Sequence, residues 1–312
     1  MHVLLLGATG TIGRATAAAL ATRGHDVTAL VRPGRTAPDG CTAVTAPLPD
    51  WPDRIAALRP EALVSCLASR TGLPGDAWAI DHAATVAAID AAIDANRAQH
   101  VVLLSALCVQ EPALAFQHAK LAAESHLIAS GTHYSIVRPT AFFKSLSGQI
   151  DRVRAGKPFL AFGDGRRTAC KPISDRDLAA YIADCLTDPS RHNRILPIGG
   201  PGPAITPRDQ ATMLSDLLGR PVPLRRVPPA LMDGIVATLG AASRIAPRLR
   251  PKAELARIGR FYATRSMLVK DPQTGHYNPD ATPETGTDTL AEHYAARLSG
   301  TAHDDRGDHA VF

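Results

Sequence analysis

Through the first two hundred residues, short apolar runs alternate with longer Ala-rich segments in which apolar residues return every three or four positions. The runs HVLLLG, DVTALVR, ALVSCLA, HVVLLSA and YSIVRP have the length of strands. The segments between them, one ending about Arg23 and others near 53–59, 79–97 and 116–130, carry helical periodicity. Such alternation builds a parallel sheet covered by helices on both faces. A further helix, DRDLAAYIADCL, and a last apolar run, RILPIGG, return the chain to that sheet. From Pro201 the texture changes, and Pro-rich turns separate apolar helical stretches such as PALMDGIVATLGAAS and KAELARIGRFYATRSML. The expected architecture is α/β: a Rossmann-like doubly wound parallel sheet over residues 1–200 and a smaller, mainly helical C-terminal substrate lobe over 201–298. The last stretch, 299–312, lacks periodicity and reads as a flexible tail.

Composition narrows the function classes. With 45% apolar residues the chain is rich enough to bury a core, while a net charge of +5, scattered Lys and Arg, and 4% aromatics argue against a nucleic-acid surface. Five widely spaced cysteines, Cys41, Cys66, Cys108, Cys170 and Cys185, contain no CxxC, so neither a disulfide framework nor an iron–sulfur cluster is indicated and no resident metal is expected. A reducing cytoplasm fits that usage. No apolar run approaches the roughly 18 residues a membrane span needs, which excludes an integral segment and allows peripheral membrane contact. The N-terminus enters the first strand with no basic leader.

The run GATGTIG places Gly7, Gly10 and Gly13 directly after the first strand and at the mouth of a helix, with Thr9, Thr11 and Ile12 in the same loop and first turn. Glycines so placed allow a tight turn and let backbone amides approach a pyrophosphate at the positive end of a helix dipole. The second strand ends at Arg32, where NAD enzymes tend to hold an acidic residue against the ribose 2′-hydroxyl. No carboxylate follows until Asp39, whereas Arg32 and Arg35 are both present. An arginine fork suits a 2′-phosphate, so the expected cofactor is NADPH.

Ser105 ends a central strand run, and Lys120 closes the motif FQHAK on the helix that follows. The serine, the lysine and the GATGTIG loop together resemble the short-chain dehydrogenase superfamily. By that resemblance Lys120 holds the nicotinamide ribose, Ser105 faces the substrate, and Pro139, closing YSIVRP, joins the cofactor set. The superfamily's catalytic tyrosine is here Phe116, which has no proton to give. A ketone reductase would forfeit about 10²–10⁴ in rate with that acid. Either the fold has become a cofactor sensor, or hydride goes to carbon and leaves no alkoxide to protonate. A conjugated carbon–carbon double bond meets the second condition.

The runs SALCVQEPALAFQHAK, YSIVRPTAFFKSLSGQI, FGDGRRTACKPISDRDLAAYIADC, ILPIGGPG and RIGRFYATRSMLVKDPQTGHY resemble the NADPH-dependent divinyl chlorophyllide a 8-vinyl reductases of chlorophyll and bacteriochlorophyll synthesis. They span roughly 105–277, while the first hundred residues match only the superfamily. The resemblance implies phenylalanine at position 116, hydride transfer to the C8 vinyl group of a divinyl magnesium tetrapyrrole, and, since the plant members' transit peptide is missing, a bacterial cytoplasmic enzyme.

A flat apolar pigment with a propionate edge calls for an apolar wall and a cation. Phe142, Phe143 and Lys144, just beyond the YSIVRPT strand, are the substrate-binding candidates, with Arg166, Arg167 and Lys171 as further cations. Phe261, Tyr262 and Met267 read as core first and as a cover over the disc second, and His118 as an exposed helix residue. Two alternatives stay open: a reductase of another conjugated alkene, of the isoflavone-reductase type, and a non-catalytic NADP(H)-sensing protein.

Overall fold

The computed structural model describes residues 1–94 and 98–301. Seven strands form one sheet: β1 (His2–Leu6), β2 (Asp26–Val31), β3 (Thr42–Thr45), β4 (Ala62–Ser65), β5 (His100–Leu104), β6 (His133–Pro139) and β8 (Arg194–Ile198). Their order is β3-β2-β1-β4-β5-β6-β8, and every neighbouring pair is parallel. The order reverses direction beside β1, which is the arrangement that opens a ligand crevice at the carboxyl ends of the strands. Strands covered on both faces must be apolar throughout, and Leu4, Leu5, Leu6, Leu63, Val101, Val102 and Ile136 are fully buried. Helices Thr11–Thr22, Trp51–Leu58, Thr85–Asp94, Ala115–Ala129 and Asp175–Asp184 supply the crossovers and flanks. Leu20, Ile55, Ile89 and Leu127 bury their side chains from four of them.

The chain's contacts divide it differently from a single cut at residue 200. One unit takes Met1–Pro139 and Asp175–Ile198; the other takes Thr140–Ser174 and the chain from Gly199 onward. The chain thus leaves the sheet after β6, returns for one helix and β8, and leaves again. The second exit is marked by GGPGP, but the first has no glycine or proline run to announce it. Within the second unit, β7 (Phe159–Phe162) pairs in parallel with β9 (Leu224–Val227). Its core gathers Phe143, Ile150, Val153, Phe159, Leu214 and Tyr294.

Two segments depart from the sequence expectation in ways that bear on function. The stretch read as one helix over 79–97 begins as a short helix, Pro74–Ala77, passes through a π-helical turn, Trp78–Ala84, and only then becomes α-helical. The tail expected to begin at 299 overlaps a helix at its start: Leu290–Ser299 carries a capping box at Thr289 and ends on Gly300 at φ 79°. Residues 302–312 of that expectation lie outside the described residues.

Candidate active site

The glycine loop follows β1 directly. Gly7 adopts φ +74°, and a Cβ there would stand 2.5 Å from the carbonyl oxygen of Cys66, at the end of the adjacent strand β4. Only glycine fits both demands. A Cβ on Gly13 would lie 2.1 Å from the Gly7 carbonyl oxygen, so the third glycine is what lets the helix Thr11–Thr22 seat itself on the loop. Gly10 begins that helix with its N–H donated to the Gly7 carbonyl at 3.0 Å, and no side chain caps the helix start. No acidic residue occupies the first turn. A glycine cradle at an uncapped helix start suits a pyrophosphate, and Thr9, Thr11 and Ile12 stand in that loop and turn.

Arg32 and Arg35 follow β2, the strand beside β1, and both are exposed. The turn between them closes through the Arg35 N–H, which donates to the Arg32 carbonyl at 3.1 Å. Their place fits the adenosine side of a dinucleotide.

Ser105 comes immediately after β5, with its backbone N–H tied to the Val137 carbonyl of β6 at 2.8 Å. Its side chain is buried, and Oγ has no hydrogen-bond partner among the described residues. Lys120 lies on the helix Ala115–Ala129 and places Nζ 3.0 Å from Asp81 Oδ1, with 12% of its side chain exposed and 1% of Asp81's. The same Asp81 oxygen accepts the Ser69 N–H at 3.3 Å, while Oδ2 is buried without a partner. Asp81, Thr85, Ser105 and Lys120 share a cavity of about 10 Å³, room for roughly one water. Buried polar atoms left unsatisfied call for a ligand or water. Two of them, Ser105 Oγ and Asp81 Oδ2, belong to side chains on the wall of this one space.

Asp81 was invisible to motif reasoning, because an aspartate in WAIDHAATVAAIDAAI reads as the polar side of a helix. The signal lies in the π-helical turn that carries it, a form that concentrates at functional sites.

Phe116 stands one helical turn before Lys120 on the same face and is half-buried. Gln117 beside it is wholly buried: its Oε1 accepts the N–H groups of Ala113 and Leu114 at 2.8 and 2.9 Å, and its Nε2 donates to Cys108 at 3.0 Å. Within FQHAK the glutamine thus fixes the helix start, and His118 faces solvent. Glu124, a turn beyond Lys120, is buried in an ion pair with Arg138 on β6, which ties this helix to the sheet. Pro139 ends that strand, buried.

The second unit holds the substrate-side candidates. Phe143 belongs to its core, 5% exposed and against the His293 ring at 5.5 Å, so it has little surface left for a ligand. Phe142, bridged to Ile173, and Lys144 are half-buried. Lys171 is committed to Glu284, at 3.3 Å, and to the Thr282 carbonyl. Phe261 and Met267 are buried as core. Arg166 and Arg167 remain exposed.

All five cysteines are free thiols. Burial pushes Cys170 up to about 12 and Cys185 up to about 11, so both stay protonated and unreactive.

A family model described as NAD(P)H-binding matches residues 7–189. Among characterised relatives, the chloroplastic divinyl chlorophyllide a 8-vinyl-reductase of Oryza sativa subsp. indica is 46% identical, over 99% of this chain and 82% of its own. That of Zea mays is 45% identical over the same shares. Among solved structures, the leucoanthocyanidin reductase–NADPH complex of Vitis vinifera superposes with a TM-score of 0.67 at 16% identity, covering 96% of this chain and all of that one. At that identity it shows the fold alone. The glycine cradle and the small cavity lined by Ser105 and Lys120 are therefore those of a chain that belongs to the NAD(P)H-binding proteins and, among them, to the divinyl chlorophyllide a 8-vinyl-reductase family.

Proposed function

We propose that this protein reduces the C8 vinyl group of divinyl chlorophyllide a, or of its protochlorophyllide precursor, to an ethyl group with NADPH, in chlorophyll or bacteriochlorophyll synthesis. The observation that carries the reading is the buried Lys120–Asp81 pair beside an unpartnered Ser105, with a phenyl ring where a ketone reductase needs an acid. A module that only sensed NADP(H) would need the glycine cradle but not this polar group. Its five free thiols support a reducing compartment, and the reading places the enzyme in the cytoplasm.

The residues divide the work as follows. Gly7, Gly10 and Gly13, with Thr9, Thr11 and Ile12, hold the pyrophosphate. Arg32 takes the 2′-phosphate, and Pro139 borders the nicotinamide. Bound NADPH supplies hydride to the vinyl carbon–carbon bond. Lys120 anchors the ribose and carries at Nζ a proton that Asp81 holds facing the small cavity. Ser105 Oγ offers a hydrogen bond on the same cavity wall. Phe116 presents an apolar face, so the proton that completes the ethyl group comes from water or from Lys120. Phe142 and Lys144 follow Pro139 closely in the chain and are assigned to the pigment, while Phe143 packs in the core.

Hydride adds at the terminal vinyl carbon in this scheme, because the charge left on the inner carbon spreads into the macrocycle. Purified protein mixed with NADPH and divinyl chlorophyllide a should shift the pigment's Soret band to the blue as conjugation is lost. Intact NADPH binding without that shift would favour a sensor, and turnover of only a non-tetrapyrrole alkene would favour an isoflavone-reductase-like enzyme. Deuterated NADPH should place label at the terminal carbon of the product ethyl group; label at the inner carbon overturns the regiochemistry.

A further inference from the structure

The helix Pro229–Ile245 has 17 residues and not one of them is buried. It packs on the helix Arg250–Thr264 of the same unit. Leu231, Ile235 and Ile245 fall with Thr238 and Ala242 within about 40° of a common line along the helix. Those three large apolar side chains are 54%, 39% and 90% exposed. The charged residues of the helix, Asp233 and Arg244, lie on the opposite side. An exposed apolar stripe of this length marks a surface for something else.

The charge around the stripe says what. Residues 225–265 contain nine Lys and Arg and two acidic residues, a net +7, while the whole chain carries +5, so the rest of the chain is net acidic. Both acids are already paired, Asp233 with Arg260 and Glu254 with Arg257. Arg225, Arg226, Arg248, Arg250 and Lys252 are all exposed and form no ion pair among the described residues. An exposed apolar helical stripe flanked in the chain by unpaired exposed cations has the composition of an element that lies in the plane of an anionic bilayer. No helix among the described residues is long and apolar enough to cross a membrane, so this one would rest on the surface.

We propose that the hairpin of these two helices docks on an anionic lipid surface, with Leu231, Ile235 and Ile245 entering the headgroup boundary and the arginines meeting lipid phosphates. The proposal does not rest on the pigment reading, since docking is read without NADPH or pigment. The test is co-sedimentation of the full chain with phosphatidylcholine vesicles with and without phosphatidylglycerol. Binding should require phosphatidylglycerol and weaken as salt rises. Ile245→Glu and the triple change Leu231→Glu, Ile235→Glu, Ile245→Glu should each lower it, the triple by tenfold or more. Reversal of Arg248 and Arg250 to Glu should cost roughly fivefold per position or more. Retained NADPH binding and circular dichroism verify folding, and the 90% exposed Ile245 provides a variant that leaves the packing intact. Equal binding to neutral vesicles, or phosphatidylglycerol binding indifferent to the glutamates, would overturn the proposal. So would a dimer in sedimentation equilibrium that the glutamates dissociate, because the stripe would then belong to a second copy.

Discussion

Lys120 and Asp81 stabilise the site through each other: a buried charge stays cheap only while its partner is present. Asp81→Asn strands the Lys120 ammonium and should cost about 3 kcal/mol in denaturant unfolding. The double change Asp81→Asn, Lys120→Met should recover much of that loss, and additive losses would mean that the pair is not coupled. Turnover should fall about 10²–10⁴-fold in Lys120→Met if Lys120 both positions the ribose and donates the proton, and an unaffected rate removes it from the mechanism. Phe116→Tyr is the complementary change. Protonation of carbon needs no phenol, so vinyl reduction should stay within about tenfold of the parent rate, and a larger gain would show that a missing acid limits the reaction. Ser105, Phe116 and Lys120 were legible in the sequence because a strand end and one helical turn place them. Asp81 and Gln117 were not, since their importance lies in whom they meet across 39 and 9 residues of chain.

At the scale of elements, apolar period carried the central sheet. Strands β1, β2, β4, β5 and β6 coincide with apolar runs because burial on both faces demands them, and the edge strand β8 coincides with one although Arg194 and Ile195 are exposed. The strands β3 and β9 had no such signature, and the apolar run of β7, FLAF, is only four residues long. β3 is an edge strand with three of its four residues exposed, and β7 with β9 forms a two-stranded ribbon whose second member, LRRV, is half polar. The π-helical turn was likewise silent, since one residue of extra girth in a helix leaves the surrounding period nearly unchanged. The glycine loop was legible, and the contacts now give its reason. Gly13→Ala drives a methyl into the Gly7 carbonyl 2.1 Å away, where only backbone can yield. The helix should back off the loop, lowering NADPH affinity at least tenfold by fluorescence titration and stability by roughly 1–3 kcal/mol. Unchanged affinity would mean that the helix start does not hold the pyrophosphate.

For the molecule as a whole, stability should fall in acid through a cluster at the edge of the sheet opposite the cofactor loop. His100 begins β5, buried, with Nε2 3.0 Å from Ser135 Oγ and its ring edge-on to His192 at 4.3 Å; His133 lies beyond His192 at 6.1 Å. Burial first, then the neighbouring His192 and His133, push His100 down to about 4. In the unfolded chain a histidine titrates near 6.5. Above that value neither state holds the extra proton and the folded state has its full stability. As pH falls from about 6.5 towards 4, the unfolded chain takes a proton that the folded chain refuses, so stability drops across that window and levels off below it. The loss at pH 5 should be about 2 kcal/mol from this group alone. Burial also lowers His25, which adds in the same direction. Urea unfolding at pH 7 and at about pH 5 should show that decline, and His100→Asn, which has nothing to titrate, should keep most of it from occurring. Equal declines in the parent and the variant would assign the acid sensitivity to other groups.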